Sequence, residues 1–287
     1  MLAEFIWNLN PILLRIEFFE PKDPNSFWAA FSSLEIRYYG LVFVLTLLTA
    51  FAFWMKQMKR GGYSTKVAES FFLWGIVAVV VGARLGHCFF YNAAHYIRHP
   101  EEVFLFWKGG LASHGATVGL TVGLILYSLR HKLPILDITD RFAMSAAVGS
   151  AGVRLGNFLN SEIVGRPTDV PWAILFAQSK DFNDVPRHPS QLYEFAMGIT
   201  VLLLLILADK LAGKEKRPRA MMTGLFLTLY FAGRFCVEFF KEYHIEDLSD
   251  KSPLTMGQYL SIIPFGVGVL LLIYSAIRAK RAKTLEA

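Results

Sequence analysis

Seven runs of this chain are apolar for long enough to cross a lipid bilayer, and that limits its fold more than any other feature. A hydrocarbon core about 30 Å thick takes roughly 20 helical residues to cross. The runs lie near residues 36–55, 67–90, 111–130, 137–157, 192–212, 220–240 and 256–278. The first, fifth and last are plain: "LVFVLTLLTAFAFWM", "ITVLLLLILA" and "IIPFGVGVLLLIYSAI". The fourth, "DITDRFAMSAAVGSAGVRLGN", is rich in small residues and marginal in hydropathy, which leaves a count of six or seven. Charged residues make up 18% of the chain, against about a quarter in a soluble domain. The expectation is an all-α integral membrane protein of about seven transmembrane helices, one polytopic domain over residues 1–287.

Loop charges orient the helices, because basic residues concentrate on the cytoplasmic side. The first loop, "KQMKRGGYSTK", holds Lys56, Lys59, Arg60 and Lys66 and no acid. The third holds Arg130 and Lys132, and the fifth holds Lys210, Lys214, Lys216, Arg217 and Arg219. The tail adds Arg278, Lys280, Arg281 and Lys283, while the sixth loop, "KEYHIEDLSDKSP", has an acidic balance. The amino end is therefore expected outside and the carboxyl end in the cytoplasm. A net charge of +6 is accounted for by membrane orientation, so nucleic acid is not an expected partner. Residues 1–35 lack a basic leader and are broken by Pro11, Pro21 and Pro24, with acids at Glu4, Glu17, Glu20 and Asp23, so no cleavable signal is expected. They read as an outer interfacial arm anchored by Trp7, Phe18, Phe19 and Trp28, and residues 158–191 form the largest outer insert. Cys88 and Cys236 fall in predicted spans, where buried free thiols are expected.

With this topology, "GARLG", "GVRLGN" and "AGRFC" place Arg84, Arg154 and Arg234 toward the outer ends of the second, fourth and sixth spans. His114 opens the third span at the same level. An arginine at mid-membrane costs about 2.5–3.5 kcal/mol on insertion scales. One such residue can snorkel to the interface, but three at one depth ask for a shared partner. Glu162, Glu194 and Glu238 are candidate carboxylates for internal ion pairs. The alternative partner is a phosphate, which guanidinium groups bind in a bidentate manner, and at that depth it would belong to a phospholipid. Arg154 and Asn157 share a helix face. Asn160, Glu162 and Gly165 follow at the helix end, with Pro167 limiting continuation. Gly115, Gly119 and Gly123 form a stripe for close helix packing beside His114.

"RLGNFLNSEIVGRP" resembles the signature of the prolipoprotein diacylglyceryl transferase family. "YYGL" at 38–41, "GARLG" at 82–86, "GGLASHGA" at 109–116, "RHPSQLYE" at 187–194 and "GRFCVEFFK" at 233–241 agree with that family in order and position. Val153 departs from it, standing where the family usually has glycine. The resemblance implies an enzyme of the bacterial cytoplasmic (inner) membrane. It would move the diacylglyceryl group of phosphatidylglycerol to the lipobox cysteine thiol of preprolipoproteins, forming a thioether and releasing glycerol-1-phosphate. Carried over residue by residue, it points to Tyr39, His114, Arg154, Asn157, Glu162, Gly165, Tyr230, Arg234 and Glu238. Arg154 and Arg234 would clamp the phosphate, and His114 would take the thiol proton. Asn157 and Glu162 would orient groups, Tyr39 and Tyr230 would supply hydroxyls, Gly165 would permit the loop, and Glu238 would join in binding substrate. His188 is expected to make a structural hydrogen bond, and Arg84 to form an ion pair or an auxiliary phosphate contact. The substrate supplies the nucleophile, so no cofactor and no metal is expected. A transporter should show half-repeats and mid-membrane polar groups, and a metal-dependent headgroup transferase should show aspartate clusters within its spans. Neither pattern is present in the sequence.

Overall fold

In the computed structural model, which describes residues 5–20, 32–90, 93–105, 109–242 and 253–286, the long apolar runs are helices. They are α1 (Tyr38–Arg60), α2 (Thr65–Phe90), a short α3 (Ala93–Arg98), α4 (Ser113–Arg130), α5 (Ile135–Leu159), α6 (Ser190–Leu211), α7 (Met221–Val237) and α8 (Met256–Glu286). Among the described residues five reach the length and apolarity needed to cross a membrane: α1, α2, α6, α7 extended to Phe240, and α8 to Arg281. Helices α4 and α5, counted from sequence as the third and fourth spans, are long enough at 18 and 25 residues but are not among the five. Polar residues dilute both: His114 and Arg130 in α4, and Asp137, Asp140, Arg141 and Arg154 in α5.

The segment before α1 amends the all-α expectation. Strand β1 (Phe5–Trp7) pairs in parallel with β4 (Ile174–Phe176), and β2 (Ile12–Glu17) pairs antiparallel with β3 (Ser33–Arg37). Trp7 is not an outward anchor. Its ring lies 4.5 Å from Phe158 and packs with a core of Phe158, Val164, Ile174 and Phe176. Phe18 and Phe19 are exposed. Trp28, Pro21, Asp23, Pro24 and most of the acidic loop before α8 lie outside the described residues.

The described backbone groups into two compact units, residues 1–50 with 143–287, and residues 51–142. In both, small residues rather than bulky apolar ones bring helices together, as expected where lipid removes the hydrophobic drive between them. In the smaller unit α2 crosses α4 at backbone distance. A Cβ on Gly82 would stand 2.5 Å from Gly115 O, and one on Gly119 would stand 2.4 Å from Ala78 O. The core behind this crossing is aromatic, with Trp54, Phe71 and Tyr127 buried against Ile138 and Met58.

The larger unit repeats the device along its helices. Gly152 of α5 meets Thr46 of α1, Gly198 of α6 meets Ala151 of α5, Gly233 of α7 meets Met197 of α6, and Gly224 of α7 meets Leu272 of α8. The polarity of the bundle is inverted relative to a soluble fold. Leu45, Leu73, Ile263 and Leu270 face outward, whereas Gln191, Glu194, Asn157 and Arg84 are buried. An apolar exterior of this extent suits lipid as the surrounding solvent. Of the two cysteines, both free, Cys88 is buried as expected, but Cys236 is exposed.

Candidate active site

The glycine contacts of α5 with α6 and of α6 with α7 place Arg154, Glu194 and Arg234 side by side. Arg154 sits in the last turns of α5, Glu194 in the first turns of α6 and Arg234 in the last turn of α7. Arg154 Nε lies 2.8 Å from Glu194 Oε2, and Arg234 Nη1 lies 3.3 Å from Glu194 Oε1. Lys241 Nζ adds a third cation, 3.0 Å from Glu194 Oε1 and 3.2 Å from Glu238 Oε2. The Glu194 side chain is wholly enclosed, with 0% exposure, while each arginine side chain keeps 14%. Burial pushes the Lys241 amine below its ordinary range, against the pull of Glu194 and Glu238.

The two arginines therefore converge, and they do so on an internal carboxylate. The pairing leaves donors over. Of the five N–H groups on a guanidinium, Arg234 directs only Nη1 to a partner among the described residues, Glu194. Arg154 directs Nε to Glu194 and Nη1 to Asn157 Oδ1 at 3.3 Å. Glu194 Oε2, despite its 2.8 Å ion contact, has no well-aligned hydrogen bond among the described residues. The attraction is mainly that of charges, and the remaining N–H donors can meet a further oxyanion.

A relay runs from Arg154 into the following loop. Asn157 accepts from Arg154 through Oδ1 and donates through Nδ2 to Glu162 Oε1 at 2.8 Å. Helix α5 ends at Leu159, and Glu162 follows in a bent loop between Ser161 (φ 54) and Ile163 (φ 57). Left-handed backbone at a β-branched residue costs on the order of 1–3 kcal/mol and persists only where neighbours enforce it. The neighbours here are Gln191 and Ser190 of α6, whose side chains donate to the carbonyls of Glu162 and Ile163 at 2.8 and 3.0 Å.

Gly165 is required by proximity rather than by its dihedral angles. A Cβ there would stand 2.4 Å from His188 O and 2.6 Å from Phe240 O, so only glycine lets the loop pass between these strands of backbone. The same passage sets Gly165 opposite Lys241 in an antiparallel bridge. Tyr39, in the first turn of α1, lies against Gly156, where a Cβ would come within 2.8 Å of its ring. Tyr230 lies one turn before Arg234 with its ring stacked on Phe226, and among the described residues no hydrogen bond links its hydroxyl to the cluster. Glu238 rests its carboxyl group on Gly257 at the start of α8 while holding Lys241. His188 Nδ1 is 3.0 Å from the Tyr193 hydroxyl, which also accepts from Trp172 Nε1 at 2.7 Å. Burial lowers its imidazole below the usual 6.5.

His114 and Arg84 belong to the other unit. His114 is exposed at the second residue of α4. Arg84 forms no ion pair among the described residues. Its guanidinium donates to four backbone carbonyls, those of Val103 (2.9 Å), Gly109 (2.7 Å), Gly110 (3.2 Å) and Glu102 (2.6 Å), and sits over the Tyr96 ring. It clasps the loop that leads into α4.

Two members of the cluster carry more than the sequence reading assigned them. Glu194 was one carboxylate among three candidates and proves to be the hub. Lys241 was given no role, although Arg234, Glu238 and Lys241 stand at i, i+4 and i+7, the spacing of one helix face.

Comparison with known proteins identifies the family. The family model for prolipoprotein diacylglyceryl transferase matches residues 26–274. A phosphatidylglycerol–prolipoprotein diacylglyceryl transferase of Chloroherpeton thalassium is 38% identical over 252 residues, 88% of this chain and 92% of its own. The proteins of the same name from Bordetella bronchiseptica and Nitrosomonas europaea are 37% and 35% identical, over 85% and 84% of this chain and 92% and 86% of theirs. The match takes in both arginine-bearing helix ends and the loop between them, and by this measure the chain belongs to the prolipoprotein diacylglyceryl transferase family.

Proposed function

We infer that this multi-pass membrane enzyme transfers the diacylglyceryl group of phosphatidylglycerol to the lipobox cysteine thiol of a preprolipoprotein. The cysteine sulfur attacks the glyceryl carbon that carries the phosphate. A carbon–sulfur bond forms, the carbon–oxygen bond breaks, and glycerol-1-phosphate leaves with the electron pair. The observation that carries this reading is the convergence of Arg154 and Arg234 from separate helices, each with N–H donors left over beside a buried carboxylate. Guanidinium groups fixed before substrate arrives, in a place poor in water, stabilise the charge that grows on the departing phosphate.

A free thiol near its usual pKa of about 8.5 is mostly protonated at neutral pH, so a proton acceptor assists attack. His114 is assigned that role from its imidazole chemistry and the motif "GGLASHGA". Asn157 and Glu162 hold Arg154 in orientation, Tyr39 and Tyr230 supply interfacial hydroxyls, Gly165 fixes the loop, and Glu238 steadies Lys241 beside the phosphate site. In this reading the amino end lies outside and the carboxyl end in the cytoplasm, as the basic loops support, with the cluster under the outer leaflet.

The test uses purified protein in lipid with phosphatidylglycerol and a lipobox-cysteine peptide, reading thioether product. Arg154→Lys and Arg234→Lys keep Glu194 paired but lose the guanidinium fork, and each should lower turnover by about 10²–10³-fold. Undiminished product from the double lysine variant would remove the arginines from the site.

A further inference from the structure

We propose that Glu194, together with Lys241, sets the charge of the arginine cluster so that it holds a singly charged phosphodiester and lets a doubly charged phosphomonoester go. The inference rests on the reading of Arg154 and Arg234 as the phosphate clamp. Among the described residues, Arg154, Arg234 and Lys241 are joined by direct ion contacts to Glu194 and Glu238, three cations to two carboxylates, which leaves one net positive charge within that directly paired set. Glu162 is separated from this set by the Asn157 amide. Phosphatidylglycerol brings one negative charge and neutralises the set. The product is a phosphomonoester, whose second ionisation lies near pH 6, so it carries about two negative charges at neutral pH and overfills it.

Glu194 acts through the arginines and not on the lipid, because its side chain is fully enclosed. It therefore counts as a specificity-determining residue. Its Oε1 accepts from Arg234 and Lys241, while Oε2 meets Arg154 without a hydrogen bond among the described residues, which suits an internal counter-ion that shares the Arg154 guanidinium with a second anion. Without it, the cations would favour the more highly charged ligand, which in this reaction is the product.

The experiment measures inhibition by added glycerol-1-phosphate alongside KM for phosphatidylglycerol. Glu194→Gln raises the set by one charge. A unit charge about 7 Å away at an effective dielectric near 20 alters affinity on the order of tenfold or more per ligand charge. The variant should therefore bind glycerol-1-phosphate at least about tenfold more tightly relative to phosphatidylglycerol, with turnover slowed by release. Lys241→Gln should move the ratio the opposite way, and the double variant should return it to the wild-type value. A merely structural role predicts losses in every constant, never a gain in product affinity that a second substitution cancels. If Glu194→Gln fails to fold, Lys241→Gln and the double variant still decide the matter.

An unchanged ratio in the single variants, or a double variant that does not restore it, overturns the inference. Should the Arg154→Lys and Arg234→Lys variants leave product inhibition unaltered, the phosphate clamp itself is wrong. If they weaken it while Glu194→Gln fails to strengthen it, the clamp stands and only the role of Glu194 falls.

Discussion

The α2–α4 crossing offers a quantitative test of the packing that carries His114. At Gly119 a Cβ would stand 2.4 Å from Ala78 O and 2.6 Å from Gly82 Cα, both backbone atoms that no rotamer change can move. Ordinary contact begins near 3.4 Å, so Gly119→Ala must part the helices locally by about 1 Å. Overpacking of this kind costs typically about 1–3 kcal/mol. Opposing it, alanine gains up to about 1 kcal/mol over glycine in a helix interior. Gly149 of α5 has nothing within 4 Å of its Cβ position, so Gly149→Ala receives the propensity gain alone. The difference between the two variants isolates the overpacking cost. At roughly 2–4 °C per kcal/mol, Gly119→Ala should unfold several degrees below Gly149→Ala. Cys88, buried on α2 beyond Gly86, provides the readout. With Cys236→Ser removing the exposed thiol, labelling of Cys88 by a thiol-reactive dye during a thermal ramp in micelles reports the opening of the crossing. A Gly119→Ala protein that exposes Cys88 no earlier than Gly149→Ala would refute backbone-to-backbone contact between α2 and α4.

Arg84→Lys removes a fork that no ammonium can reproduce across four carbonyls, and faster hydrogen exchange confined to residues 102–105 and 109–112 is expected, while an unchanged exchange map counts against the clasp. Asn157→Asp replaces the donor to Glu162 with a second carboxylate beside it. Losing a hydrogen bond to a charged group costs about 1.5–3 kcal/mol, so turnover should fall at least about tenfold, more than in a Glu162→Gln, Asn157→Asp pair that relieves the repulsion. His188 has an imidazole held below 6.5 by burial. The unfolded chain then binds the proton first, so stability should decline as pH falls through 6.5 and below. His188→Gln should flatten that decline in unfolding curves taken on either side of pH 6.5, and an unaltered slope would assign the acid sensitivity to other groups.

Much of the site was legible because its residues are close in sequence. Arg154 and Asn157 three apart at a helix end, with Glu162 and Gly165 directly after, announce a polar cluster wherever the helix packs. The glycines of α4 were legible for the same reason, as a periodic stripe. What escaped depended on contacts between distant segments. Arg84 reaches carbonyls 18 to 26 residues further on, and no side-chain pattern encodes a backbone acceptor. Strands β1 and β4 are three residues each, too short to leave a period, and pair across some of the longest sequence separations in the fold, Phe5 with Ile174. Trp7 looked like an interfacial anchor because its partner Phe158 lies at the end of a helix otherwise read as a span. Lys241 was recoverable from the helical spacing with Arg234 and Glu238, but it sits just past the apolar run, where a lysine ordinarily reaches solvent.

The three arginines singled out by the sequence are met in two different ways. Arg84 is met by neutral carbonyl dipoles, which satisfy the fork and leave it no capacity for a ligand beyond one Nη2 donor. Arg154 and Arg234 are met by a carboxylate that three cations share, which balances charge while leaving donors over. Stability alone does not favour the second solution, since replacing a buried ion cluster with apolar residues of similar size is often neutral or stabilising. The glycine contacts that join α1, α5, α6, α7 and α8 supply close packing without it. That imbalance, three cations in direct contact with two carboxylates among the described residues, is the feature on which the proposed phosphate site rests.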